Sequence, residues 1–372
     1  MSRAPSPSGK ENAAPASTRY GTAKKQIGKK RPCNALELGP RKRPTLPDPL
    51  IHHGRHFGRS IFAFANVHAL ILAGLALKEN DIVETKQERR EARVYKKLLK
   101  MVPGLEDRLL EAEGGDEDDI FEVASLLQKG ASSARSDDTK SLKGAILDWI
   151  VPQGQALQPS LARNVKIDRG FNHERTGELL CPGGMDWSDP EVKQQLKNRE
   201  VAIPGNHWPL FVYQNEIYPD SDAKSWDGLF RSKILVNAYK HVFTSPSSVE
   251  EDPKATRSGN ARIHGMTSVT PASIAYIATQ VRFALSSASV FCRTDKETDS
   301  ETFYTSVLEL FEDPEEQGEV KDLIAWWNRQ VFPSFSNTKK VIPSNSILSR
   351  IKARRAAIKA AAAALEPESE EN

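Results

Sequence analysis

The densest gathering of chemically capable side chains is the run ARNVKIDRGFNHERTG at 162–177, with Arg163, Lys166, Asp168, Arg169, His173, Glu174 and Arg175. An imidazole beside a carboxylate could move a proton, and the surrounding cations could hold a phosphate. His173, Glu174 and Asp168 are therefore the candidate acid–base groups, and Arg163 and Lys166 the candidate anion ligands. The competing reading is a solvated loop pinned by salt bridges, because neighbours in a loop need not point the same way. A second basic loop, RSGNARIHGM at 257–266, brings Arg257, Arg262 and His264 in front of a helix start. Free N–H groups and the helix dipole favour an anion there. The alternative is that the arginines pair with nearby acids or cap the C-termini of neighbouring helices.

Other chemistry finds less support. His52, His53 and His56 stand together in IHHGRH, but no carboxylate lies close in sequence and the H-E-x-x-H order is absent, so no metal is expected. Asp137, Asp138, Asp168, Asp186 and Asp189, with Arg135, could supply a divalent-metal site of the nuclease type; their spacing does not select it, and Asp137 and Asp189 read as helix caps. Cys181 has no partner histidine set by sequence order. The three cysteines form no C-x-x-C pair, which argues against a disulfide framework or zinc ribbon and for a reducing compartment. There is no Walker A, no G-x-G-x-x-G after a strand, no G-x-S-x-G and no kinase signature, and no cofactor is expected.

The element these loops must serve is the run TPASIAYIATQVRFALSSASVF at 270–291. Thr270 and Pro271 form an N-cap with a first-turn proline, and Ile274, Ile277, Ala278, Val281, Ala284, Leu285 and Ala288 recur at helical spacing. A helix apolar nearly all round belongs in the centre of a core. Further helices are predicted at 61–78, 84–101, 105–111, 118–129, 137–151, 190–198, 226–243, 300–311, 315–331 and 346–365. Seven prolines break residues 152–220 into an irregular insert, with one strand expected at 208–213 and aromatic anchors at Trp187, Trp208, Phe211 and Tyr213.

Composition sets the outer bounds. The chain has 372 residues, 38% of them hydrophobic, enough for a sizeable core. Its net charge of +3 is unevenly spread: residues 1–50 carry eleven Lys/Arg against three Asp/Glu, and residues 366–372 carry four glutamates. The first segment, rich in Pro, Ser, Gly and Lys/Arg, is expected to be disordered. Its clusters Lys24, Lys25, Lys29, Lys30, Arg31 and Arg41, Lys42, Arg43 read as nuclear-import signals or nucleic-acid contacts. The apolar run 61–77 is shorter than the ~20 residues a bilayer requires, so no membrane is expected.

The runs MVPGLEDRL (101–109), ARSDDTKSLKGAILDWI (134–150), FNHERTGELLCP (171–182), DWSDPEVK (186–193), FTSPSSV (243–249), KATRSGNARIHGMTSVTPASIAYIATQVRFALSS (254–287) and WWNRQVFPS (326–334) resemble a domain of unknown function found in large families of mushroom-forming fungi. The resemblance covers roughly residues 50–335 and implies one structural unit spanning the proline-rich insert. It carries no activity.

The expected architecture is mainly α: one multi-helix domain at 51–335 with an irregular insert at 152–220, and disordered termini. A disordered basic tail (1–50) precedes it; a linker with a basic helix (336–365) and an acidic tip (366–372) follow. The leading function is a non-enzymatic nuclear interaction module whose partner is nucleic acid or an acidic protein. One rival is an enzyme acting on a phosphorylated or nucleic-acid substrate. Another is a protein-partner scaffold using the Trp326/Trp327 helix or the C-terminal helix.

Overall fold

The computed structural model describes residues 48–77, 85–113, 117–152, 154–220, 224–249, 259–294, 299–333 and 347–363. The basic tail up to residue 47, the whole of the 336–346 linker and the acidic tip lie outside them. Among the described residues the secondary structure is helical: α1 (Pro49–Ser60), α2 (Val67–Ala76), α3 (Lys86–Met101), α4 (Leu105–Glu113), α5 (Glu117–Trp149), α6 (Glu174–Leu180), α7 (Pro190–Asn198), α8 (Lys233–Tyr239), α9 (Asn260–Ile263), α10 (Pro271–Leu285), α11 (Ser300–Glu312), α12 (Gln317–Val331) and α13 (Ile347–Ala363).

Helix α10 starts where its sequence says it should. The Thr270 hydroxyl accepts from the Ser273 N–H at 3.1 Å, and the Ser273 hydroxyl lies 3.1 Å from the Thr270 N–H, a reciprocal box behind Pro271. Every side chain from Ser273 to Leu285 is buried. Around it α5, α8, α11 and α12 close the main core, with Ile146, Leu235, Tyr239, Phe303 and Trp327 in contact. The helix ends at Leu285, earlier than the apolar run suggests, because Ser286 turns extended and its hydroxyl binds Phe283 O at 2.9 Å instead of extending the turn.

A second apolar cluster joins α1–α4 to the first half of α5 through Phe57, Ile71, Leu98, Leu109, Val123 and Leu127. Helix α5 therefore serves both cores. The sequence suggests two helices, ending at Lys129 and restarting near Ser136; the structure has one of 33 residues, about 50 Å long at 1.5 Å per residue. Tertiary packing overrides the weak local propensity of GASSARS. Gly130 and Ala131 are pressed against α1, where Gly54 and Gly58 remove every intervening side chain.

Two other boundaries move. Residues 61–66, expected to be helical, form turns, and α2 starts at Val67 behind Asn66, whose side chain accepts from the Ala69 N–H. The helix expected from Trp226 starts at Lys233, because Gly228 and Phe230 both sit at positive φ and Ser232 supplies the cap. The strand expected at 208–213 is a 3₁₀ turn flanked by single antiparallel bridges, Pro182 to Pro209 and Tyr213 to Leu229. Pro209 lacks the N–H that a longer ladder would need.

The junction of α1, α5 and α10 holds a buried ion pair. Arg59 Nε and Nη2 each donate to Asp138 at 2.7 Å, and the Tyr276 hydroxyl donates to the same carboxylate at 2.6 Å. Burial disfavours the Arg59 charge, but its bonds to Asp138 outweigh that cost and raise its pKa. Burial, then Asp138, pushes the Tyr276 phenol well up, so it stays a donor.

Candidate functional site

On α5, Ser132, Arg135, Ser136, Thr139, Lys140 and Lys143 recur three and four residues apart and so share one face. That face forms one wall of a cavity of about 430 Å³. The opposite wall is Lys166 from the insert, Phe283 on the last turn of α10, and Ser289, Val290 and Phe291 beyond it. Four cations and four hydroxyls line the space. Among the described residues no carboxylate does.

Three of the cations are braced by aromatic faces or carbonyls. Arg135 lies 5.6 Å from the ring centres of both Phe64 and Phe291 and donates to Ala63 O at 3.1 Å. Lys143 donates to Asn164 O at 3.1 Å, tying the insert to α5. Lys166, only 5% exposed, stands 3.3 Å above the Phe283 ring centre and donates to Phe283 O and, at 2.7 Å, to Ala288 O. Burial, then the charges of Arg169 and Lys143, pull its ammonium down to about 7. Arg169, fully buried, donates to Ala284 O at 2.8 Å and to Ala162 O at 3.0 Å. Lys166 and Arg169 together satisfy the carbonyl end of α10, where cations also complement the dipole.

The other sequence candidates lie apart from this cavity. Arg163 pairs with Asp148 on the surface and donates to Gly144 O at 3.2 Å. Arg262 is exposed on α9, and Arg257 lies outside the described residues, as do all eight residues of the nuclear-import clusters. His264 is stacked against His52 and His56 of α1, ring centres 4.1 and 4.4 Å apart. Stacked rings aim their nitrogens along parallel planes, away from a common point, and among the described residues no group of three His, Cys, Asp or Glu is placed to hold a metal ion.

His173 is 2% exposed and caps α6: Nδ1 accepts the Arg175 N–H at 3.1 Å and Nε2 donates to Pro159 O at 2.8 Å. Glu174 accepts from Trp187 Nε1 at 3.0 Å and Lys193 Nζ at 2.6 Å, while Asp168 is exposed. The three face different surroundings. The acidic set is likewise dispersed: Asp137 pairs with Arg55, Asp138 with Arg59, Asp186 accepts from Ser188, and Asp189 caps α7. Asp137 is no cap, since α5 runs through it. Burial, then Asp186 and Glu178, push the Cys181 thiol up to about 11, which suppresses the thiolate. Trp327 is fully buried and donates to Phe230 O at 3.0 Å, whereas Ile347, Ile351 and Ile358 of α13 are exposed.

Sequence reading selected Lys166 but not Lys140, Lys143 or the α5 hydroxyls. The signal was there, a cationic and hydroxyl stripe at helical spacing, but restarting the helix near Ser136 left Ser132 and Arg135 outside it.

The histidine stack makes stability pH-dependent. Burial first, then neighbouring histidines and Arg59, lower His56 to about 4 and His264 to about 3. Below about 6.5 the unfolded chain binds protons that the folded chain refuses, so stability is complete above pH 6.5 and declines towards pH 4. Each proton contributes a slope of up to about 1.4 kcal/mol per pH unit. Thermal unfolding followed from pH 7.5 to 4.5 should show a falling Tm, and His264→Phe, which keeps a ring in the stack, should flatten it.

No helix among the described residues is long and apolar enough to cross a membrane. No curated protein and no solved structure matches the chain. Residues 129–332, which include the whole lining of the cationic cavity, match a family of unknown function, DUF6698, and the chain belongs to that family.

Proposed function

We propose that this protein is a non-enzymatic binding module for phosphate-bearing partners, nucleic acid first among them, acting in the nucleus. The observation that carries the reading is the cavity lined by Arg135, Lys140, Lys143 and Lys166 with no carboxylate among the described residues. Cations held on aromatic faces and beside hydroxyls are arranged to meet phosphate oxygens with little reorganisation. The basic clusters before residue 47 add a sequence-independent attraction to polyanions and the import signal.

Lys140 and Lys143 are the accessible contacts. Titration of the full chain against mixed-sequence single-stranded DNA and RNA at several salt concentrations tests the reading. Binding should weaken steeply with salt, with a slope of about −0.7 per phosphate neutralised on a single strand. The double change Lys140→Ala/Lys143→Ala should reduce that slope by about 1–2. A salt-independent affinity, or a slope unchanged by the double change, would overturn it.

A further inference from the structure

A second cavity, about 570 Å³, lies on the other side of the C-terminal end of α10, and its chemistry is different. Its walls are apolar side chains of the insert, chiefly Phe171, Leu180, Leu196, Val201 and Ile203. Its polar lining carries charges of both signs, with Arg199 and Asp299 at the rim and Arg282 buried beneath, so its cationic excess is far smaller than that of the first cavity.

The space is built into the backbone. Gly205 packs so closely on α11 that a β-carbon there would lie 2.4 Å from the Phe303 nitrogen. Trp208 Nε1 donates to Ser306 Oγ at 3.0 Å, fixing the same loop four residues beyond Pro204. On the facing side Gly170, at φ 68°, packs on Ser287. With both walls pinned, the loop at 199–209 is not free to settle onto Leu180 and Leu196. A concave, mostly apolar, preformed space of 300–1,000 Å³ is the usual container of a small organic ligand.

We propose that this cavity binds a small, uncharged, predominantly apolar molecule, with the polar rim setting its orientation. The proposal is independent of the phosphate reading, because no side chain of the α5 cationic face lines this space.

The test uses the full chain and the neutral fluorophore N-phenyl-1-naphthylamine. Saturable one-site binding is expected, with slower amide hydrogen exchange at residues 199–209 on saturation. Ala202→Trp, at an exposed position on the rim, should fill the mouth and weaken binding by at least about tenfold, the scale of a steric misfit in an apolar pocket. Lys140→Ala/Lys143→Ala should leave probe affinity unchanged, which separates this proposal from the phosphate reading. Absence of saturation would overturn it. So would unchanged affinity in Ala202→Trp together with unchanged exchange at 199–209.

Discussion

Asp138→Ala should destabilise the fold by about 3–5 kcal/mol, the cost of leaving a buried arginine without its counter-ion. Arg59 is 2% exposed and its guanidinium faces the carboxylate with two bonds of 2.7 Å, so water has no easy route to replace the lost partner. The same change removes the acceptor of the Tyr276 hydroxyl. Since a domain commonly has about 5–15 kcal/mol in total, this one substitution removes a large part of the margin. Urea unfolding of the purified variant measures it. The ion pair itself contributes much less than its disruption costs: Arg59→Met with Asp138→Leu and Tyr276→Phe should recover most of the loss, because an apolar replacement of similar volume leaves no charge stranded. A triple variant as unstable as Asp138→Ala would show that the charges hold the helices in place by more than mutual compensation.

Gly130→Val should be comparably damaging, for a steric reason. A β-carbon at position 130 would lie 2.2 Å from Ile51 O, and one at Gly54 2.1 Å from Leu127 O. Both clashes are with backbone, so no rotamer relieves them; α1 and α5 must separate, and the packing of Phe57 against Val123 and Leu127 separates with them. Overpacking of this kind costs about 1–3 kcal/mol where side chains yield, and more where main chain must move. Gly318→Ala is the matched control. It lies in α12 with nothing within 4 Å of the new methyl, and should stabilise by about 0.5 kcal/mol through backbone entropy alone. Thermal unfolding of the two variants should shift in opposite directions.

What was legible in the sequence was what short-range chemistry specifies. Thr270-Pro271 announced α10 through a cap and a missing N–H, and Asp189-Pro190 announced α7 in the same way. The mainly helical class followed from periodicity. What escaped was decided by distant partners. The continuity of α5 through GASSARS depends on α1, some 75 residues earlier in the chain, and the stacking of His264 depends on His52 and His56, more than 200 residues away. His173 read as an acid–base group because imidazole and carboxylate were adjacent; the fold spends its two nitrogens on a cap and a carbonyl. Lys166 was chosen for its charge, and the structure gives it a burial and a set of carbonyl partners that no local pattern could announce.

Helix α5 ties two hydrophobic clusters into one thermodynamic unit. Its N-terminal half carries Ile120 and Leu127 into the α1–α4 cluster, and its C-terminal half carries Leu142 and Ile146 into the α10 core. Unfolding either cluster frays the helix that the other depends on, and helix–coil cooperativity carries the damage along the rod. The region before residue 129 is thereby coupled to the cationic cavity more than an ordinary appended bundle would be. Amide exchange should report the two halves of α5 opening with one shared free energy, so that a ligand seated between Lys143 and Lys166 slows exchange as far away as Val123.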